Sequence, residues 1–330
     1  MDFGSSFISM KSHEKIASGI PSLDAALGGG MLIGSLILLS EDSLGIYSDM
    51  FLKVFLAQGI VKDEEVLFAS CDISPDAFMR KLPQQTSSEV FLAKQVFSDP
   101  LQIAWRYENS PAISIFDANK SHSNNFSFKD RLPEEIVQSS KSHYWPSKGN
   151  PETYEDLLDC IYKKLVTGNN LNDQASKNQN KGILRIGVHR LGSLFWKQSQ
   201  SKLPRFLYSL RGILHHSRSI AVVTFPKHLI QKSEIISRCE QMSDSVIELE
   251  SFGTNTNPLY HELDGYIKFN KLCTSNTLCP LMKDPCDWAF RLSLKKLIIE
   301  KLRLPPEGAD STQREHATNQ VCGQTKDLDF

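Results

Sequence analysis

Four of the five consecutive residues Ser35-Leu36-Ile37-Leu38-Leu39 are aliphatic and none is charged. A strand that is apolar at every position, rather than at alternate ones, has to be covered on both faces, as in the centre of a parallel sheet wrapped by helices. The next segment fits that setting. Ser40 to Gly45 form a turn, and Met50, Phe51, Val54 and Phe55 then recur at helical spacing, with Asp49 and Lys53 expected as an i,i+4 pair on the outer side. Just upstream, a short helical segment around Pro21 to Leu27 is stopped by Gly28-Gly29-Gly30.

Strands and helices keep alternating along the chain. Glu65 to Ser70, Ile113 to Phe116, Ile183 to Val188 and Ile220 to Phe225 read as strands. Tyr154, Leu157, Leu158, Ile161 and Leu165 mark one amphipathic helix, and Leu203, Phe206, Leu207, Leu210 and Leu214 another. This order predicts βαβ units with right-handed crossovers: an α/β fold with a mostly parallel, twisted sheet flanked by helices. Towards the C-terminus the period changes to two at Leu263, Ile267 and Phe269, and again from Phe290 to Leu304, which predicts antiparallel edge strands. Phe290 to Leu302 also fits a basic amphipathic helix, with strand the preferred reading.

A single domain over 16–304 is expected, between a flexible segment 1–15 and a disordered tail 305–330, with mobile loop insertions at about 119–150 and 168–182. The charge balance, 37 Lys+Arg against 38 Asp+Glu, excludes a surface that is basic throughout, so any nucleic-acid contact must be local. Met1 to Lys15 lacks the apolar stretch of a signal peptide, and no run reaches the roughly 20 apolar residues that span a bilayer. The expected setting is inside the cell and off the membrane, with the seven cysteines reduced and no metal bound.

The turn after the first apolar strand is where a nucleotide would sit. A phosphate loop needs glycines that turn backbone N–H groups inward, a Lys for the phosphates and a Ser or Thr hydroxyl for magnesium. In that frame the chain reads Ser40-Glu41-Asp42-Ser43-Leu44-Gly45-Ile46-Tyr47. The second glycine survives, whereas the first glycine, the lysine and the metal-binding hydroxyl are replaced. Glu41 and Asp42 also bring negative charge to a place meant for a triphosphate. An ATPase further needs an acid at a neighbouring strand tip. Here Ile183 to Val188 ends in His189-Arg190, and Asp72 and Asp117, at other strand tips, fit turn or capping roles better. No catalytic residue and no cofactor bound by this chain alone are expected.

Gly19-Ile20-Pro21-Ser22-Leu23-Asp24, Leu27-Gly28-Gly29-Gly30 and Gly34-Ser35 resemble the entry to the core of RecA-like ATPases. Together with Glu41-Asp42, Gly45-Ile46-Tyr47-Ser48, Leu56-Ala57-Gln58-Gly59, Ile103 to Glu108, Leu184-Arg185-Ile186-Gly187 and Ile299-Glu300-Lys301-Leu302, they resemble the PAXNEB family, the subunit-4 family of the Elongator complex. Ala104-Trp105-Arg106-Tyr107 is the most distinctive piece, and the likeness spans about Ile16 to Glu307. It implies a RecA-like fold that assembles with Elongator subunits 5 and 6 into a heterohexameric ring. That ring is accessory to the catalytic subcomplex, binds tRNA and supports carboxymethyl-type modification of the wobble uridine, in cytoplasm and nucleus. ATP would be held, if at all, at ring interfaces.

Two groups of side chains are further candidates. Arg106, between Trp105 and Tyr107, could reach a neighbour's phosphate as an arginine finger, or cover two rings packed in the fold or in a subunit interface. Lys129, Arg131, Lys141, Tyr144, Trp145 and Lys148 mix cations with rings and are candidate RNA contacts, while Asp130, Glu134 and Glu135 favour a solvated loop or a protein contact as much. Arg185 and His189 are weaker RNA candidates, and His215-His216 closes a helix. Three roles stay open: a ring subunit for tRNA modification, an autonomous RecA-like ATPase, and a scaffold without RNA contact.

Overall fold

The computed structural model describes residues 14–86, 124–146, 153–168, 170, 182–253, 263–273, 287–293 and 296–302. Lys15–Ile16 (β1) and Met31–Leu32 (β2) pair antiparallel around the helix Pro21–Ala26 (α1). The three glycines end α1 as expected, all with positive φ. At Gly30, φ is +118° and a Cβ would lie 2.5 Å from the Ile16 carbonyl oxygen, so no side chain fits there.

The apolar run forms Leu36–Ser40 (β3), buried at all five positions, and feeds the helix Ile46–Val61 (α2). Next in chain order are Glu65–Ser70 (β4), Pro75–Met79 (α3), Pro83–Gln85 (β5), Phe126–Arg131 (β6), Glu134–Ser139 (α4), Ser142–Trp145 (β7) and Tyr154–Thr167 (α5). Leu184–His189 (β8), Leu203–His215 (α6), Ser219–Phe225 (β9), Ser233–Met242 (α7), Ser245–Ser251 (β10), Gly265–Lys271 (β11), Trp288–Ser293 (β12) and Lys296–Lys301 (β13) complete the order.

Nine strands make one sheet in the order β13-β12-β11-β10-β3-β9-β8-β4-β7. From β10 to β7 every pairing is parallel, and β11, β12 and β13 add antiparallel pairings at the other side. The C-terminal period-two stretch is thus a hairpin, not a helix.

One face of the sheet is packed by α2, whose residues Phe51 to Ile60 are nearly all buried among Leu39, Phe68, Phe78, Phe126 and Phe290. Two glycines allow the helix this close: a Cβ at Gly187 would lie 2.9 Å from Leu56 Cδ2, and one at Gly59 would lie 2.7 Å from Arg185 Cδ. The opposite face carries α5, α6 and α7 through Leu157, Ile161, Leu165, Phe206, Leu207, Leu210, Leu214 and Cys239. Thr153 and Asp156 cap α5 reciprocally, which fixes where it starts. Because α2 leaves β3 on one face while α7 leaves the adjacent β9 on the other, the carboxyl ends of β3 and β9 form the switch point where open α/β sheets hold ligands.

The structure departs from the sequence reading in several places. The described part of the 119–150 insertion is not a loose loop: β6 pairs with β5, and β7 is the outermost strand of the main sheet. Four consecutive residues with only modest apolar content carry no strand signal, and it is partnership with β4 that orders them. Asp49 and Lys53 are not an outer ion pair. Asp49 turns to His189, and the Lys53 ammonium lies 5.1 Å from the Phe78 ring centre, with burial lowering its pKa. The helix α7 and strand β10 have no counterpart in the sequence reading. Ile113 to Phe116, Asp117 and the tail lie outside the described residues.

Candidate functional site

The loop between β3 and α2 sits at the switch point. Its backbone is tied to β9 by the Glu41 N–H, which donates to the Phe225 carbonyl at 2.9 Å. Gly45 takes φ +65° just before the first turn of α2, a left-handed conformation that favours glycine. The amide donors of this turn face inward, and Asp42 collects them. The Leu44 N–H donates to Asp42 Oδ2 at 3.3 Å and the Gly45 N–H to the Asp42 carbonyl at 3.1 Å, and the amides of Gly45 and Tyr47 also favour the Asp42 carboxylate. Burial nonetheless outweighs these amides and raises the Asp42 pKa.

A cation closes the other side. The Arg190 guanidinium lies 3.7 Å from Glu41 Oε2 and 3.8 Å from Asp49 Oδ2, and Nη2 donates to the Gly45 carbonyl at 3.5 Å. A Cβ on Gly45 would come within 2.7 Å of Arg190 Nη2, so the arginine fills the space above the loop. The Arg190 N–H is anchored on Thr224 Oγ1 at 2.7 Å. Burial pushes the Glu41 carboxyl up to about 7, against the opposing pull of Thr224 and Arg190.

Behind Arg190, His189 is fully buried and links two elements: Nδ1 is 3.0 Å from Ser70 Oγ on β4, and Nε2 is 2.9 Å from Asp49 Oδ1 on α2. A Ser-His-Asp chain of this kind suits nucleophilic catalysis only when the hydroxyl can meet a substrate. Ser70 is 1% exposed and its Oγ accepts the Ile73 N–H at 3.2 Å, so the triad fastens β4, β8 and α2 together. In the position where a phosphate loop has its magnesium hydroxyl stands Tyr47. Its ring packs on Phe290 at 4.7 Å, and burial, then the nearby Asp264 to which its hydroxyl is hydrogen-bonded, pushes its pKa up to about 12. Among the described residues, no three His, Cys, Asp or Glu side chains converge on a metal position.

The expected RNA contacts do not come together. Lys129 and Arg131 are exposed on β6, in the small sheet with β5, whereas Lys141, Tyr144 and Trp145 belong to the edge of the main sheet. Lys141 is paired with Asp63 at 3.0 Å. Tyr144 is half-buried beside a cleft of about 240 Å³ lined by Asp76, Arg80 and Glu134. Trp145 is 4% exposed and stacks on Trp196 at 5.5 Å, so its face is already covered and no base can stack there. Arg185 is likewise buried, paired with Glu64, donating to the Ala17 carbonyl at 2.9 Å and lying over the Phe55 ring. Trp105, Arg106, Tyr107 and Lys148 lie outside the described residues. Sequence reasoning misses Arg190 as the partner of the loop, although an arginine at a strand tip facing two new carboxylates is the available signal.

A mostly parallel sheet with this strand order, a glycine-stopped entry and a loop at the β3–β9 switch point has the RecA-like fold. The structure aligns with the KaiC-like protein PH0186 from Pyrococcus horikoshii OT3 over 87% of this chain and 99% of that one, with a TM-score of 0.51 and 15% identity. The model of the PAXNEB protein family matches residues 8–330. Elongator complex protein 4 of Xenopus laevis is 33% identical, covering 91% of this chain and 82% of the relative, and that of Homo sapiens 32% identical, covering 91% and 78%. The chain belongs to the PAXNEB family and is a homologue of Elongator complex protein 4.

Proposed function

We propose that this Elongator subunit is non-catalytic. It forms a heterohexameric RecA-like ring with subunits 5 and 6 that binds tRNA and supports carboxymethyl-type modification of the wobble uridine. One observation carries the non-catalytic part: the loop amides that would hold a phosphate are turned onto Asp42, and Arg190 covers the loop from above. The loop is a degenerate phosphate loop filled by the protein's own anion and cation. A triphosphate would have to displace Arg190 and come up against the Asp42 carboxylate that already holds the loop amides, and a like-charge contact at 4 Å costs about 4 kcal/mol at an effective dielectric of 20. ATP used by the assembly is therefore held between subunits. An autonomous ATPase is disfavoured by the same geometry and by the absence of a carboxylate at the tip of β8, where His189 stands.

The test is mass analysis of tRNA nucleosides from cells with and without this chain. Loss of the carboxymethyl-type wobble uridines on deletion is the expected result, and intact levels would remove the proposal. Alongside it, calorimetric titration of the purified chain with ATP is expected to give no saturable heat at millimolar concentration. Stoichiometric binding would restore the ATPase reading.

A further inference from the structure

Between Asp173 and Glu234 the chain has no acidic residue, while eleven of its 37 Lys and Arg residues fall in that interval. The fold disposes of most of those in the described residues by bringing carboxylates from elsewhere. Arg185 meets Glu64, Arg190 meets Glu41 and Asp49, Arg211 meets Asp244, Arg218 meets Glu14, and Lys227 meets Glu248. Lys202, Arg205 and Lys232 are exposed and have no side-chain partner among the described residues, and Arg238, just beyond, is in the same state.

These four cations stand on two helices that pack against each other. Lys202 and Arg205 stand where α6 begins, and Lys232 and Arg238 on the approach to α7 and its second turn. Gln200 joins the two segments, donating to the Leu229 carbonyl at 3.2 Å and accepting the Gln231 N–H at 3.4 Å. Tyr208, three residues after Arg205 and so on the same helix face, is 66% exposed. Glu234 is the acidic neighbour and leaves the patch positive. Unpaired cations around a bare ring fit a polyanion that also offers unstacked bases, because the cations meet phosphates and the ring stacks on a base. An acidic peptide would match the charge but give the ring no comparable partner.

We propose that this outward face of α6 and α7 is a tRNA-contact surface, with Lys202, Arg205, Lys232 and Arg238 on phosphates and Tyr208 against an unpaired base. The proposal rests on the reading that this subunit works on tRNA, and it moves the contact away from Lys129 to Lys148.

The test measures binding of an unmodified tRNA transcript, and of a fully paired RNA duplex, to the Elongator assembly containing the full chain, as a function of salt. With all four cations replaced by serine, affinity at 150 mM salt is expected to fall about tenfold or more, and the slope of log affinity against log salt to flatten by about 3, at about 0.7–0.9 per phosphate contact. Tyr208→Ala is expected to weaken tRNA binding by about 5- to 150-fold, with little effect on the duplex. Unaltered affinity and slope in the fourfold variant, in an assembly that binds tRNA, would overturn this surface and leave the tRNA reading standing. Failure of the unmutated assembly to bind tRNA would overturn both. Loss of a protein subunit from the fourfold variant, with tRNA still held by what remains, would show a protein-docking face instead.

Discussion

Glu41 is the residue where the cost of the altered loop can be read. Its side chain is 1% exposed and its carboxyl is pushed up to about 7, above its ordinary 4.5, because burial opposes the charge more than Thr224 and Arg190 favour it. A raised carboxyl binds its proton more tightly in the folded state. Its contribution to stability therefore falls as pH rises from about 4.5 to 7 and is level beyond. Glu41→Gln removes that titration. The variant's advantage over the parent is expected to grow from pH 5 to pH 8 by up to about 3 kcal/mol, read from urea midpoints at each pH. A difference that stays flat across that range would mean that Glu41 is ionised throughout. The two carboxylates and the missing lysine were legible from Ser40 to Tyr47 alone. The arginine that answers them was not, since Arg190 is 149 positions from Glu41 in the chain and reaches it only when β8 and β3 flank β9.

At the scale of elements, the long periodic segments were readable and the short ones were not. β3, β4, β8, β9, α5 and α6 lie within a residue or two of their expected bounds, because their apolar positions repeat over enough residues to fix a face. β7 has four residues, Ser142-His143-Tyr144-Trp145, and β10 begins with Ser245, so neither announces itself; each is ordered by a parallel neighbour. Close approach of elements also makes a prediction. Gly187→Ala would drive a methyl group into Leu56 and Leu52, the first at 2.9 Å, between α2 and β8. The expected loss is about 1–3 kcal/mol, the range of an overpacked core. Chemical denaturation measures it, and an unchanged midpoint would mean that α2 can shift away from the sheet.

In the whole molecule, one buried carboxylate joins layers that the chain sequence keeps far apart. Asp244, just before β10, accepts the Leu36 N–H of β3 at 2.9 Å, Arg211 Nε of α6 at 2.7 Å and His215 Nε2 at 3.2 Å. Burial would raise its pKa, but the His215 hydrogen bond, the Leu36 amide and Arg211 together hold it below the ordinary 3.8. A depressed carboxylate contributes stability above its unfolded value and loses it as pH falls through the folded one. Asp244→Asn is expected to cost about 2 kcal/mol or more at pH 7, with the deficit shrinking as pH is lowered below 3.8, as thermal melts across pH would record. A deficit independent of pH would place the loss in packing and not in charge. By itself the sequence determined the α/β class with its parallel core and a Ser40 to Tyr47 turn with two carboxylates and no lysine, because apolar period and loop composition are local, while the RecA-like class came with the resemblance carried by Gly19 to Ser35. Only the tertiary structure decided what fills the loop, which aromatic residues are already covered and which cations are left unpaired. Those outcomes depend on groups from distant segments meeting across the sheet, where burial and charge are settled together.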